Sequence, residues 1–135
     1  MMKISSNQMR RGKRHGYRSG LEERIGNQLD SLKVKWEFEP DKIPYIGKPH
    51  TYTPDFKIGS IYIETKGRFL AKDRAKHLLV REQHPELDIR FVFTNPNQKL
   101  YKGAKTTYAD WCIKHGFNYS RSRIPESWIL EMCRD

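Results

Sequence analysis

The stretch Thr53-Pro-Asp-Phe-Lys-Ile-Gly-Ser-Ile-Tyr-Ile-Glu-Thr-Lys-Gly67 decides how this chain folds. Apolar and polar residues alternate on either side of Gly59-Ser60, the pattern of two half-buried strands joined by a two-residue turn. A type II′ turn takes glycine first and pairs Ile58 with Ile61, Phe56 with Ile63 and Asp55 with Glu64. Strand side chains alternate in direction, so Phe56, Ile58, Ile61 and Ile63 share a core face. Asp55, Lys57, Tyr62, Glu64 and Lys66 share the other. A one-residue slip would expose half the apolar set, and this fixes the register.

Like charges directly opposite each other, with β-carbons about 4.5–5.5 Å apart, destabilise a sheet. The fold has no need of an Asp55–Glu64 pair, whereas a divalent cation does: Mg²⁺ prefers carboxylate oxygens and water and leaves positions for phosphate. Lys66 lies on the same face as Glu64, placed to orient or deprotonate a water or to stabilise charge developing on a phosphate. The bland alternative is a set of solvated acids balanced by Lys57 and Lys66. Pro54 and the opposition of the two acids favour the chemical reading.

The composition supplies a reason for such a notch. A chain of 135 residues fits one domain with a modest core. Twenty-six Lys and Arg against 16 Asp and Glu give a net charge of +10, which calls for a polyanionic partner, nucleic acid first. No basic amphipathic helix with an aromatic face argues for a membrane surface, and no signal-peptide pattern or run of about 18 apolar residues appears. The expectation is a soluble, cytoplasmic protein. Cys112 and Cys133 match no metal-ligand spacing and read as buried free thiols. A basic surface that holds a strand, with one acidic notch for a cation, is what metal-assisted phosphodiester cleavage requires.

Outward from the hairpin, residues 1–17 read as a flexible basic arm. With the adjoining Arg18 it carries Lys3, Arg10, Arg11, Lys13 and Arg14 and no acid. Residues 18–135 read as a single folded domain. Ser19 opens a helix with Leu21, Ile25, Leu29 and Leu32 at helical spacing, and S19-G-L-E22 has the form of a capping box. Glu22 lies just beyond one edge of that stripe. Its position suits a cap and suits equally a third carboxylate reaching the notch.

Residues 34–43 alternate as a half-buried strand, and Pro40, Pro44, Gly47 and Pro49 make 40–49 a stiff connection. A second helix spans about 70–82 with Leu70, Ala71, Ala75, Leu78 and Leu79 as its apolar side. Residues 88–94 form a strand. A third helix runs from Thr106 or Thr107 to about His115, stopped by Gly116. Pro125 opens a short helix carrying Trp128, Ile129 and Met132. This order describes a mixed α/β core, a sheet covered by helices.

Arg10, Arg11, Lys13, Arg14 and Arg18 of the arm, with Lys72, Arg74, Lys76 and Arg81 of the second helix, are the candidate phosphate contacts. His77 stands in the same row; the bland reading of that row is a solvated helix face. His50, His77, His84 and His115 form no zinc spacing. Trp36, Trp111 and Trp128 occupy apolar positions and read as core.

T-P-D-F followed by E-T-K-G carries the P-D…E-x-K signature of the PD-(D/E)XK nuclease superfamily. R18-S-G-L-E-E, H50-T-Y-T-P-D-F, K76-H-L-L-V-R-E-Q-H-P-E-L-D-I-R90 and L100-Y-K-G closely resemble phage endonuclease I, a family of Holliday-junction resolvases. The resemblance runs from about residue 16 to 130. It implies a nuclease core with a central mixed sheet flanked by helices, in an intertwined, domain-swapped homodimer bridged by 40–49. Glu22 would then come from one chain and the hairpin acids from the other. It implies Glu22, Asp55, Glu64 and Lys66 as catalytic residues. The implied metal ligands are Asp55, Glu64 and the Thr65 backbone carbonyl, with Glu22 as a further candidate, for Mg²⁺ or Mn²⁺. The implied reaction is cutting of four-way and other branched DNA to leave 5′-phosphate and 3′-hydroxyl ends. The competing readings are a non-catalytic nucleic-acid-binding module and a sequence-specific, restriction-type nuclease.

Overall fold

The structure, a computed structural model, describes residues 17–47 and 51–132. From the N-terminus these form α1 (Gly20–Ser31), β1 (Glu37–Phe38), β2 (Ile43–Pro44), β3 (Thr51–Tyr52), β4 (Phe56–Ile58) and β5 (Ile61–Lys66). They continue as α2 (Ala71–Gln83), β6 (Asp88–Phe93), α3 (Tyr108–His115), β7 (Tyr119–Arg121) and α4 (Glu126–Met132). The expectations for Arg10, Arg11, Lys13, Arg14, His50 and Cys133, and for 48–50 within the 40–49 connection, fall outside the described residues.

The hairpin has the register its alternation dictates: Phe56 pairs with Ile63, Lys57 with Tyr62 and Ile58 with Ile61. Gly59 has φ +58 and Ser60 is not among the residues of positive φ, as a type II′ turn requires and a type I′ turn does not. The sheet is mixed, in the order β1-β4-β5-β6-β7; β4 runs antiparallel to β5, and β6 and β7 run parallel to it. Strands β2 and β3 pair separately as a small antiparallel ribbon within the Pro-punctuated region.

Neither face of β5 is solvated, and this departs from the half-buried hairpin the alternation suggests. Ile61 and Ile63 pack with Phe56, Ile58 and Val92 against Leu21, Ile25 and Leu29 of α1, joined by Ile124 and Met132. On the other face Tyr62 joins Tyr52, Phe69, Phe91, Phe93 and Trp111. The cause is the parallel neighbour β6, since parallel strands reached by helical crossovers are covered on both sides. Tyr62 and Glu64 are therefore buried rather than facing water.

The helices are set by local chemistry. Ser19 caps α1 with its hydroxyl accepting from the Glu22 N–H, and Thr107 and Asp110 form a reciprocal capping box on α3. Gly116 closes α3 in the left-handed conformation. Gly26 inside α1 makes room for Tyr17, whose hydroxyl would collide with a β-carbon there.

Four sequence expectations are corrected. The strand expected over 34–43 contracts to Glu37–Phe38, because Lys33 and Glu39 both adopt positive φ and bend the chain at either side. Val34, Trp36 and Phe38 still lie half-buried on one side. Leu32 is the exposed C-cap of α1 rather than part of its buried stripe. On α2 most of the leucines and alanines mislead: Leu70, Ala71, Ala75 and Leu78 are exposed, Leu79 packs half-buried against the core as expected, and His77 and Val80 face the core. His77 is fully buried against the rings of Tyr52, Phe69 and Phe91, so it is neither a phosphate contact nor a solvated residue. Strand β7 was not anticipated; it has only three residues and no fully buried side chain. Among the described residues no helix is long and apolar enough to cross a membrane.

Candidate active site

The ladder between β4 and β5 stops at Phe56, and Pro54 explains why. One step beyond Asp55 the register would set Pro54 opposite Thr65, and proline has no N–H to donate. The Lys66 carbonyl accepts from Thr94 on the β6 side, so the N–H and C=O of Thr65 point the other way, toward Asp55. The Asp55 carboxylate replaces the missing backbone partner: its Oδ2 accepts from the Thr65 N–H at 2.9 Å and from the Thr65 hydroxyl at 2.8 Å. The Thr65 carbonyl is left on this side with no ladder donor. The Asp55 backbone carbonyl accepts from the Glu39 N–H at 2.8 Å, tying the residue to the end of β1.

Glu64 follows on the same strand and is 4% exposed. Its Oε1 accepts from the Tyr52 hydroxyl at 2.8 Å, and its Oε2 lies 3.4 Å from the Lys66 ammonium. Lys66 also lies 3.6 Å from Asp73, whose carboxylate accepts from the Leu70 N–H at the start of α2.

Glu22 reaches the same place from α1. Its carboxylate accepts from the Arg18 N–H at 2.6 Å, one residue earlier than a capping box places it, so the residue belongs to the helix entry and to the cluster at once. The Arg18 guanidinium lies 3.5 Å from both Glu22 and Asp55 and also pairs with Glu39. A single chain thus brings together all four candidate catalytic residues, Glu22, Asp55, Glu64 and Lys66.

The electrostatics of the cluster are strained. Five carboxylates (Glu22, Glu39, Asp55, Glu64 and Asp73) share two cations in direct contact, Arg18 and Lys66. Burial pushes Glu64 up from 4.5 to about 8, with the Asp55 charge adding to it against the pull of Lys66, Lys76 and the Tyr52 hydrogen bond. Burial and then the charge of Asp55 push Glu22 up to about 7. Asp55 is also raised, by burial, although both Thr65 hydrogen bonds oppose the shift. Lys66 is raised by Glu64 and Asp73 despite its own burial, so it stands as an ammonium. In a chain of net charge +10, this is a site short of positive charge.

These donors fit a hard divalent cation, which takes carboxylate and carbonyl oxygens and keeps several waters. Asp55 Oδ1 faces the Arg18 guanidinium at 3.5 Å and Glu64 Oε2 the Lys66 ammonium at 3.4 Å, side-chain contacts a cation could replace or share, and Glu22 stands beside them. Among the described residues no three His, Cys, Asp or Glu side chains are placed together so as to hold a metal ion by themselves, so a cation here would draw on the Thr65 carbonyl, water or phosphate as well.

The candidate phosphate contacts divide. Lys72 is exposed on α2, and the Lys76 ammonium lies 5.5 Å from the centre of the Tyr52 ring. Arg74 donates to the Phe69 carbonyl at 2.6 Å. Arg81 donates to the carbonyls of His115 and Gly116 and lies over the Phe117 ring, locking α2 to the end of α3. Arg18 faces carboxylates. Sequence reasoning missed Tyr52, Glu39 and Asp73 as partners of the site. Tyr52 lies within H50-T-Y-T-P-D-F, yet nothing in its spacing marks it as the donor to Glu64.

A family model described as phage endonuclease I matches residues 1–135. Endonuclease I of Escherichia phage T7 is 51% identical over 118 residues, covering 85% of this chain and 79% of that protein. Endodeoxyribonuclease 1 of Enterobacteria phage T3 is 49% identical over 118 residues, covering 85% of this chain and 78% of that protein.

Proposed function

The chain belongs to the phage endonuclease I family, and from that premise we propose that it is a divalent-metal-dependent endodeoxyribonuclease selective for four-way junctions and other branched DNA. The observation that carries this reading is the convergence of Glu22, Asp55, Glu64 and Lys66 in one buried, charge-deficient notch of a basic protein. The mixed sheet, with Pro54 and Asp55 just before β4 and Glu64 and Lys66 on the adjoining β5, supports the PD-(D/E)XK assignment. Residues 1–17 serve as a basic arm that grips phosphates ahead of a single nuclease domain, 18–135.

Asp55, Glu64, the Thr65 carbonyl and Glu22 would hold Mg²⁺, or Mn²⁺ in its place. When bound, such an ion would supply positive charge at the scissile phosphate and lower the pKa of a water. The chain's own groups do the rest. The two Thr65 hydrogen bonds fix the Asp55 carboxylate. Lys66, held as an ammonium between Glu64 and Asp73, stabilises charge developing on the phosphate rather than acting as a base. In-line attack of water with departure of the 3′-oxygen leaves a 5′-phosphate and a 3′-hydroxyl.

The active form is an intertwined homodimer. Exchange of α1 between protomers through 40–49 would rebuild the Glu22–Asp55 juxtaposition across chains, because a swapped element makes the same contacts in trans that it makes in cis. Two such sites about a two-fold axis suit a junction in which two strands are cut symmetrically.

The test places a labelled four-way junction beside a linear duplex of the same sequence. Paired cuts near the branch point that need Mg²⁺ support the reading. Cuts that follow base sequence in the linear duplex would favour a restriction-type enzyme, and tight binding without any cutting would favour a non-catalytic module.

A further inference from the structure

Tyr52 is 1% exposed, and its hydroxyl donates to Glu64 Oε1 at 2.8 Å, the one hydrogen bond it makes among the described residues. Its ring is held from several sides. The His77 ring meets it edge-on at 5.0 Å, the Lys76 ammonium lies 5.5 Å from its centre, and its backbone pairs with Ile43 in the β2–β3 ribbon. A phenylalanine would fill the same volume, so the core does not require the oxygen. The hydroxyl restrains one carboxylate oxygen and leaves the other, Oε2, turned toward Lys66.

We infer that Tyr52 is a positioning residue for Glu64, holding Oε1 so that this side chain offers a divalent cation only Oε2. The inference rests on the proposed nuclease reading and deepens it. A carboxylate fixed in this way acts as a monodentate ligand of set direction, whereas a free one rotates or binds through both oxygens. Tyr52 on β3 pairs with Ile43 of β2, which lies in the 40–49 connection, so the placement of β2 bears on the orientation of a ligand.

The test is Tyr52→Phe in the full chain, with Glu64→Gln as its control. Mn²⁺ affinity is measured by calorimetry on the DNA-free protein, and junction affinity in EDTA reports the fold. Tyr52→Phe is expected to bind the junction as wild type does and to bind Mn²⁺ about 10- to 100-fold more weakly, the usual effect of losing a partner behind a ligand. The Mn²⁺ concentration giving half-maximal cleavage should rise by the same factor, with cleavage recovered at saturating metal. A residue that only fills the core would not move metal affinity while sparing junction affinity. Unchanged Mn²⁺ affinity in Tyr52→Phe, beside its loss in Glu64→Gln, would overturn the inference and leave the nuclease reading standing. Unchanged Mn²⁺ affinity and cleavage in Glu64→Gln would overturn both.

Discussion

Glu64→Gln should make the metal-free protein more stable, and the size of the gain follows from the site. Burial and the Asp55 charge push the carboxyl from 4.5 to about 8, so ionising or protonating it in the fold at alkaline pH works against folding. At 1.36 kcal/mol per tenfold this amounts to about 4–5 kcal/mol, which relaxation and water entry around a buried charge reduce to about 2–3 kcal/mol. The folded-state value lies above the unfolded one. The group's contribution is therefore most favourable below 4.5, and stability is lost as the pH rises through about 8. Glutamine keeps an acceptor for the Tyr52 hydroxyl and carries no charge. In EDTA the variant should match wild type near pH 4 and exceed it above pH 8, with an unfolding midpoint about 10 °C higher for a chain of this size. Mn²⁺ should narrow the gap by stabilising wild type alone. The assay is thermal or urea unfolding at a series of pH values. A variant no more stable than wild type at alkaline pH, or a gap that widens toward acid, would refute the reasoning.

Other perturbations separate the remaining roles. His77 is buried with neither ring nitrogen hydrogen-bonded among the described residues, and burial holds its pKa well below 6.5. The unfolded chain therefore takes up a proton that the folded chain refuses, and stability falls as the pH drops below about 6.5; His77→Leu should flatten that slope in urea titrations. Arg81→Ala should cost about 1–2 kcal/mol of stability through its lost carbonyl and ring contacts while sparing junction affinity. Lys72→Ala should instead leave stability alone and lower the salt dependence of DNA binding by about one phosphate contact. Co-refolding Glu22→Gln chains with Asp55→Asn chains should restore single-strand nicking, because an exchanged dimer regenerates one intact site. A mixture as inactive as its parts would place Glu22 and Asp55 in the same chain.

The hairpin register was legible because it depends on neighbours in sequence: an apolar alternation and a glycine that supplies the positive φ. The caps at Ser19 and Thr107 and the stop at Gly116 were legible for the same reason. What failed depends on packing at long range. On α2 the core-facing stripe passes through His77 and Val80 with Leu79 at its edge, while Leu70 and Leu78 are exposed, so an apolar count placed most of the stripe on the wrong side. Burial of Glu64 came from β6 arriving as a parallel neighbour. Asp55 and Glu64 were read as an opposed pair on one face; in the fold Pro54 breaks the ladder and turns Asp55 onto Thr65. For Glu22, the sequence left a cap and a site residue equally open; in the fold its carboxylate accepts from the Arg18 N–H rather than closing a capping box, and it shares the Arg18 guanidinium with Asp55. Tyr52, Glu39 and Asp73 carry no local pattern, and only the tertiary fold brings them to the site.

Asp55 sits where every element of the site meets, and its removal is the most direct test. Wild type and Asp55→Ala are compared on one labelled four-way junction, with cleavage followed in Mg²⁺ and affinity followed in EDTA. The expected result is loss of cleavage with affinity retained or raised, since a negative charge near the phosphates has gone. Mg²⁺-dependent cutting by Asp55→Ala at the wild-type rate would contradict the proposed site.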